Sequence, residues 1–250
     1  MKISIITVCW NSEKYLGTAI DSILNQTYEN IEYIIVDGGS SDKTQDIIKQ
    51  YEPLFKGKMK WISEKDNGIY DAMNKGISMS SGDIVGLLNS DDFFISKTAL
   101  DKIAKTFSTK NVDCVYADLY YVKEEDTNKI VRKWITGNKR PFNKGWHPAH
   151  PTFYVKKDIY NKYGNFNLNY KIAADFEIML RFLEKYSITS YYLKEIILKM
   201  RLGGESNKSF KNIKTGKDEI LHAFKINNIN VPFYYPYKRW LSKISQYLFR

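Results

Sequence analysis

Asp83-Ile84-Val85-Gly86-Leu87-Leu88-Asn89-Ser90-Asp91-Asp92 opens as an apolar run and closes on two adjacent carboxylates. The run is too short for a helix and reads as a buried strand. In an open α/β sheet the C-terminal strand ends border the crevice where ligands bind, which presents Asp91 and Asp92 to it. Two neighbouring carboxylates repel unless a cation or donors satisfy them, and oxygen ligands suit hard divalent cations such as Mg²⁺ or Mn²⁺. On this stretch alone, an acidic turn capping a helix that starts near Ser96 reads equally well.

Upstream, Lys2 to Trp10 and Ile31 to Val36 read as buried strands, the second ending at Asp37, and Met59 to Ser63 as a weaker third. Asn11 or Ser12 stands where it can cap a helix with Leu16, Ala19, Ile20, Ile23 and Leu24 on its core face. Gly38-Gly39-Ser40-Ser41-Asp42 is a turn leading into a helix that carries Ile47, Ile48 and Tyr51. Ile69 to Met79 predicts a helix with Ile69, Ala72, Met73, Gly76 and Ile77 inward. Downstream come a helix from about Lys97 to Phe107 and a strand from Asp113 to Asp118. This alternation predicts an α/β fold with a mostly parallel sheet and right-handed crossovers. The tips Trp10-Asn11, Asp37 and Asn89-Ser90-Asp91-Asp92 then face one crevice.

After Asp118 the pattern changes. Leu119–Val122 and Lys129–Trp134 read as a hairpin, and Gly137–His150 has no periodicity. A helix follows from about Lys156 to Tyr163. Ala173-Ala174-Asp175-Phe176-Glu177 opens an amphipathic helix through Leu180, Leu183 and Tyr186. Two strands, near Thr189–Leu193 and Ile196–Leu202, precede Gly203-Gly204.

A length of 250 residues and 43% hydrophobic content fit one large α/β domain, or one with a small appendage. Cys9 and Cys114 lie in apolar runs and read as buried free thiols of a reducing cytoplasm. The chain opens directly on a strand, which leaves no room for a signal peptide, and no apolar run reaches the ~18 residues of a membrane span. Of the net charge of +10, most lies between Ser206 and Arg250, with nine Lys/Arg against two Asp/Glu. That asymmetry describes a basic tail with an anionic partner, away from the crevice, and argues against a nucleic-acid binder.

Four motifs occur in order: Thr7-Val8-Cys9-Trp10-Asn11-Ser12-Glu13; Val36-Asp37-Gly38-Gly39-Ser40-Ser41-Asp42-Lys43-Thr44; Asp66-Asn67-Gly68-Ile69-Tyr70-Asp71-Ala72-Met73-Asn74-Lys75-Gly76; and Leu88-Asn89-Ser90-Asp91-Asp92. His150-Pro151-Thr152-Phe153, Gly164-Asn165-Phe166, Asp175-Phe176-Glu177 and Leu180-Arg181 continue the series. Over roughly residues 1–205 the chain resembles the family 2 inverting glycosyltransferases of GT-A fold. The resemblance implies a Rossmann-like, mostly parallel sheet flanked by helices, with a donor half (1–118), an acceptor half (119–205) and a basic helical tail (206–250). It implies transfer of a hexosyl or N-acetylhexosaminyl group, with inversion, from a nucleotide-diphospho-sugar, a UDP-sugar foremost, to a glycan or lipid-linked acceptor in polysaccharide or glycolipid synthesis.

The resemblance assigns Asp91 and Asp92 to a divalent cation, Mg²⁺ or Mn²⁺, that stabilises charge on the departing diphosphate. The family's Asp-x-Asp pattern begins here with Asn89, whose amide can bond a ribose hydroxyl instead. Thr7, Val8, Trp10, Asn11, Asp37, Asp66, Lys75, Asn89 and Ser90 fall on the donor side, with Asp37 reading the base and Trp10 stacking on it. An Asx turn is the alternative for Asp37, and a solvated helix lysine the alternative for Lys75. Asp175 is the candidate base for the acceptor hydroxyl, kept ionised by the helix start, unless it is only an N-cap. Glu177 is a second base or a structural acid. His147 and His150 are weaker acceptor-side or metal-site candidates. Arg201 belongs to a glycine-rich segment that is either a flap over the donor or a plain strand end.

Two rivals keep the sheet: a sugar nucleotidyltransferase, disfavoured because Asn11-Ser12-Glu13 stands where its basic Gly-rich loop belongs, and a catalytically silent relative. In the tail, Tyr237, Trp240, Leu241, Ile244, Tyr247 and Leu248 form one stripe if helical. Peripheral contact of 232–250 with the inner face of the cytoplasmic membrane and packing on the protein's own core or a second subunit are equal readings of it.

Overall fold

The computed structural model describes residues 1–203 and 209–235. Its first half alternates as the periodicity predicts: β1 (Ile3–Cys9), α1 (Leu16–Leu24), β2 (Ile31–Asp37), α2 (Thr44–Tyr51), β3 (Met59–Ser63), α3 (Ile69–Met79) and β4 (Ile84–Leu87). Every residue of β1, β2 and β4 is buried. That follows from covering both faces of a parallel sheet with helices. One face packs on α3 through Met73 and Ile77, the other on α1 through Leu16, Ile20 and Ile23. A Cβ at Gly76 would lie 2.3 Å from Ile6 Cγ2, so the glycine lets α3 sit directly on β1.

The second half adds β5 (Phe93–Phe94), α4 (Ala99–Lys110), β6 (Cys114–Val122), β7 (Ile130–Trp134), β8 (Tyr154–Lys156), α5 (Lys157–Tyr163), α6 (Ala174–Leu180), β9 (Ser190–Arg201) and α7 (Phe210–Ile226). The sheet runs β3-β2-β1-β4-β8-β6-β9-β5, with β7 paired to β6 outside that path. β1 pairs in parallel with β2 and β4, β2 with β3, and β6 with β9, whereas β8 is antiparallel to both β4 and β6. The sheet is therefore mostly parallel, with β5, β7 and β8 running against it.

Several expectations need correction. Neither Asn11 nor Ser12 caps α1 with its side chain. Asn11 Oδ1 is drawn to the Ser41 N–H, the Ser12 hydroxyl to Ser90, and only the Ser12 carbonyl receives the Leu16 N–H. Ile69, the first residue of α3, is 47% exposed rather than inward. The two strands foreseen after Thr189 are one, β9, whose pairing with β6 is interrupted near Asp118. β5 and β8, two and three residues long, carry too little sequence for any periodicity. Helix α6 continues into a π-helical turn over Arg181–Lys185.

The chain from 206 onward was expected to form a tail. Its described part is instead built into the core, since Ile220, Ala223 and Phe224 of α7 join Phe176 and Tyr235 in one apolar cluster. The stripe expected at Tyr237–Leu248 lies outside the described residues. Among the described residues, no helix is long and apolar enough to cross a membrane.

Candidate functional site

The loops after β1 and β2 brace one another before any ligand is considered. The Asn11 N–H donates to Ser40 Oγ (2.7 Å) and the Ser12 N–H to Thr44 Oγ1 (2.7 Å). The Glu13 N–H donates to Asp42 Oδ2 (3.0 Å), and Glu13 Oε2 receives the Lys43 N–H (3.0 Å). The Ser12 and Ser90 hydroxyls meet at 3.0 Å, tying this pair of loops to the tip of β4. Two sequence motifs 30 residues apart thus hold each other, with Asn11 in left-handed backbone (φ 46°) at the crossing.

Asp37 is the hub of this bracing. It is fully buried. Its Oδ1 accepts from the Ser40 hydroxyl and from the Cys9 thiol at 3.8 Å, and its Oδ2 from the Ser40 N–H (3.1 Å) and Ser63 Oγ (2.5 Å). A carboxylate has about four acceptor positions, and all are taken. Asp37 therefore organises the turn here, in keeping with the Asx-turn alternative. Burial, then the Asp37 charge, pushes the Cys9 thiol far up and keeps it protonated as a donor. Thr7 and Val8 also point inward, Thr7 Oγ1 receiving the Tyr33 hydroxyl at 3.1 Å. What they give a ligand must come from backbone.

Trp10 is the large side chain that this frame leaves outside, 68% exposed at the end of β1. Gly38 lies beside it, and a Cβ there would sit 3.5 Å from Trp10 Cδ1 and 2.6 Å from Asp66 Oδ2. The close approach of Gly38 brings the Asp66 carboxylate to the indole. Asp66 Oδ1 accepts the Gly68 N–H (2.9 Å), which starts α3. Lys75 turns back to Glu64 (2.8 Å), Asp71 (3.7 Å) and the Lys65 carbonyl (3.2 Å), so it supports the Asp66 loop.

At the tip of β4 the two acids part company. Asp91 is half-buried, whereas Asp92 is fully buried, contrary to the exposed strand tip expected for both. Asn89 Nδ2 donates to Asp92 Oδ2 at 2.9 Å, so Asn89 is committed to the acid rather than to a ribose. Asp92 Oδ1 is buried with no hydrogen-bond partner. Burial, then the charge of Asp91, pushes the Asp92 carboxyl well above the usual range, and Asn89 and Arg201 pull against them. Arg201, foreseen in either a flap or a plain strand end, closes β9 beside these acids and donates from Nη1 to the Asp91 carbonyl. Gly204, Glu205 and Ser206 of that segment lie outside the described residues.

Asp175 stands in the first turn of α6, half-buried, with Ala173 at the cap position, so it is not an N-cap. Its Oδ1 accepts the Phe176 N–H (2.7 Å) and lies 3.5 Å from the Tyr70 hydroxyl, which also donates to the Ile172 carbonyl (2.8 Å). Burial holds the Tyr70 phenol protonated. His150 is buried with its ring 5.6 Å from that of Phe166, and burial lowers its pKa against the opposing pull of Asp175. The imidazole is neutral at pH 7. His147 packs edge-on against Trp134 (5.1 Å) and Phe176 (5.5 Å). Glu177 is 1% exposed, paired with Arg181 Nε (3.0 Å) and bonded by Asn227 Nδ2 (3.1 Å), so it is structural and not a base.

Sequence reasoning missed what holds Asp175 in place. Glu219 of α7 accepts the N–H groups of Lys171 (2.8 Å), Ile172 (2.9 Å) and Ala173 (2.8 Å), capping α6 from 46–48 residues away. No local pattern announces such a cap. It also missed a cavity of about 450 Å³ at the interruption of β6 and β9, lined by Asp118, Tyr120, Tyr192 and Lys194. Asp118 is committed there to the Thr136 N–H (2.7 Å) and the Tyr192 hydroxyl (2.6 Å), and the cavity touches none of the residues above.

The profile of glycosyl transferase family 2 matches residues 4–179. A glycosyltransferase of PGL/p-HBAD biosynthesis from Mycobacterium tuberculosis is 27% identical over 206 residues, covering 82% of this chain and 78% of that one. A glycosyltransferase of Haemophilus influenzae is 28% identical over 93% of this chain and 74% of its own. Among solved structures, S. aureus TarS 1-349 in complex with UDP-GlcNAc superposes with a TM-score of 0.69 at 18% identity, over 95% of this chain and 69% of that chain. Against another TarS structure the chain spans 43% of the length. The mannosyltransferase PcManGT of Pyrobaculum calidifontis, in complex with GDP-Man and Mn²⁺, gives a TM-score of 0.66 at 15% identity, over 98% and 73%.

Proposed function

The chain belongs to glycosyl transferase family 2, and from that premise we propose that it moves a hexosyl or N-acetylhexosaminyl group from a nucleotide-diphospho-sugar, a UDP-sugar foremost, to a hydroxyl of a glycan or lipid-linked saccharide, with inversion. The observation that carries the reading is the buried, unpartnered Asp92 Oδ1 beside Asp91 at the end of β4. An orphaned carboxylate oxygen in a dry site calls for a partner.

A divalent cation fits these residues. Among the described residues no three His, Cys, Asp or Glu side chains converge as a metal cage. Mg²⁺ in particular is commonly held by one or two carboxylates and completed by substrate phosphates and water. Asp91 and Asp92 would hold it, and it would supply charge stabilisation for the departing diphosphate. The base is left to Trp10, whose exposed indole offers a stacking face, with Asp66 beside it as an acceptor.

Asp175 accepts the proton of the attacking hydroxyl. The Phe176 N–H and Tyr70 hydroxyl fix Oδ1, and no hydrogen bond among the described residues engages Oδ2. Neutral His150 and Tyr70 wall this side without adding a competing charge. Inversion follows if the hydroxyl attacks from the face opposite the diphosphate.

The experiment offers UDP-sugars and GDP-mannose with Mg²⁺, with Mn²⁺, or with chelator, and measures release of nucleoside diphosphate. Release from a UDP-sugar with metal and its loss in chelator are expected. The anomeric centre of the product, read by NMR, should be opposite to the donor's. Asp175→Asn should lower kcat by ~10²–10⁴-fold with little change in donor affinity. Turnover that ignores chelator removes the metal, and a retained anomer removes the mechanism.

A further inference from the structure

We propose that Arg201 is a diphosphate-binding residue of the donor site, its buried and unpaired Nε supplying a donor to anionic oxygens next to the Asp91–Asp92 pair. The inference rests on the donor reading above and adds a residue to it.

The chain carries its own contrast in Arg181, which is mostly covered, and Arg201, which is buried. Arg181 is satisfied by protein alone. Its Nε and Nη2 bond both carboxylate oxygens of Glu177 (3.0–3.3 Å), and Nη1 and Nη2 bond the carbonyls of Tyr163, Gly164 (3.1 Å) and Asn165 (2.7 Å). That is a structural guanidinium. Arg201 is more hidden, 5% exposed, yet its side-chain hydrogen bonding among the described residues is one bond from Nη1 to the Asp91 carbonyl. Its Nε is buried and has no partner.

The guanidinium is nevertheless held. It lies over the ring of Tyr15 (4.5 Å to the centroid) and over that of Phe93 (4.9 Å). The Tyr15 hydroxyl is bonded in turn to Glu124, which also pairs with Lys14 at 2.9 Å. Aromatic faces and a backbone carbonyl fix where the cation sits without a carboxylate hydrogen-bonded to its side chain among the described residues. Asp92 Oδ1 is a second orphan in the same place, and the two do not hydrogen-bond one another. A buried cationic donor left unmade is costly, so it persists where a ligand completes it. The ligand that suits a planar guanidinium edge is a phosphate oxygen pair. A cation on the carboxylates and a diphosphate between cation and guanidinium would complete both orphans together.

The test measures binding, by calorimetry, of UDP, of GDP and of uridine to the wild type, Arg201→Lys and Arg201→Met, in chelator and in Mg²⁺. Arg201→Lys keeps the charge and most of the stem but loses the Nε donor, and melting curves confirm that each variant is folded. UDP affinity should fall about 10–100-fold in Arg201→Met and less in Arg201→Lys, in chelator as well as in Mg²⁺, with uridine unchanged. A folded Arg201→Lys or Arg201→Met that binds UDP as the wild type does overturns the inference. So does an equal loss for uridine. Wild-type protein that binds neither UDP nor GDP overturns the donor reading itself, and this inference with it.

Discussion

Glu219→Ala tests whether α7 holds the Asp175 turn. The carboxylate of Glu219 takes three consecutive N–H groups, from Lys171, Ile172 and Ala173, at 2.8–2.9 Å. A side-chain cap is worth about 0.5–2 kcal/mol. A charged cap on three donors, half-buried here, stands at or above the top of that range, at about 2–3 kcal/mol. In a chain of this size each kcal/mol moves Tm by about 2–4 °C, so the expected fall is about 4–12 °C. Glu219→Gln retains one carbonyl oxygen but turns an amide NH₂ toward a backbone donor, and should lie between alanine and wild type. Because the capped turn leads directly into Asp175, kcat should fall while donor affinity holds. The neighbouring Asp218, which is exposed, provides the control, and Asp218→Ala should change stability by no more than about 0.5 kcal/mol. Scanning calorimetry and initial rates read both effects. If Glu219→Ala melts within about 1 °C of Asp218→Ala, the cap does not carry the turn and the reasoning fails.

Other substitutions probe separate parts of the structure. Burial alone would raise the Glu32 carboxyl, but Lys60, the Ser81 N–H and the Ser4 and Ser81 hydroxyls outweigh it and lower it from 4.5 to about 2. A depressed carboxylate contributes stability that is present above pH 4.5 and lost as pH falls toward about 2; Glu32→Gln should flatten denaturant midpoints across that window, and an unchanged pH profile would count against the pairing. A Cβ at Gly86 would lie 2.2 Å from the Tyr154 ring, so Gly86→Ala should cost about 1–3 kcal/mol or more in urea unfolding, and Tyr154→Phe should not relieve it because the clash is with the ring. Asp92→Asn keeps an oxygen for Asn89 and removes a buried charge, so Tm should hold or rise while nucleoside diphosphate release collapses. A destabilised and fully active variant would contradict that assignment.

The strand–helix order was legible in residues 1–118 because each element there is long enough for its period to show. Seven residues of β1 or eleven of α3 bury one continuous set of side chains, and the pattern is the burial. The motif tips were legible for the same reason, since Trp10 follows the last residue of β1, Asp37 ends β2 and Asp91 lies four residues past the end of β4. Short elements were not. Three-residue β8 exists because β4 and β6 leave a gap that it fills, a fact about neighbours rather than about Tyr154-Val155-Lys156.

The sequence alone determined the α/β class, the order of its first half and the residue types at the crevice, since local periodicity and strand ends are properties of neighbouring residues. Only the tertiary structure decided what each of those residues is free to do. Asp37 is spent on Ser40, Ser63 and Cys9, Glu177 on Arg181 and Asn227, and Asn89 on Asp92, whereas Asp92 and Arg201 each keep a buried atom unpaired. A side chain's chemistry is written in its own atoms, but its availability depends on partners that the fold sets against it from 3 to 110 residues away.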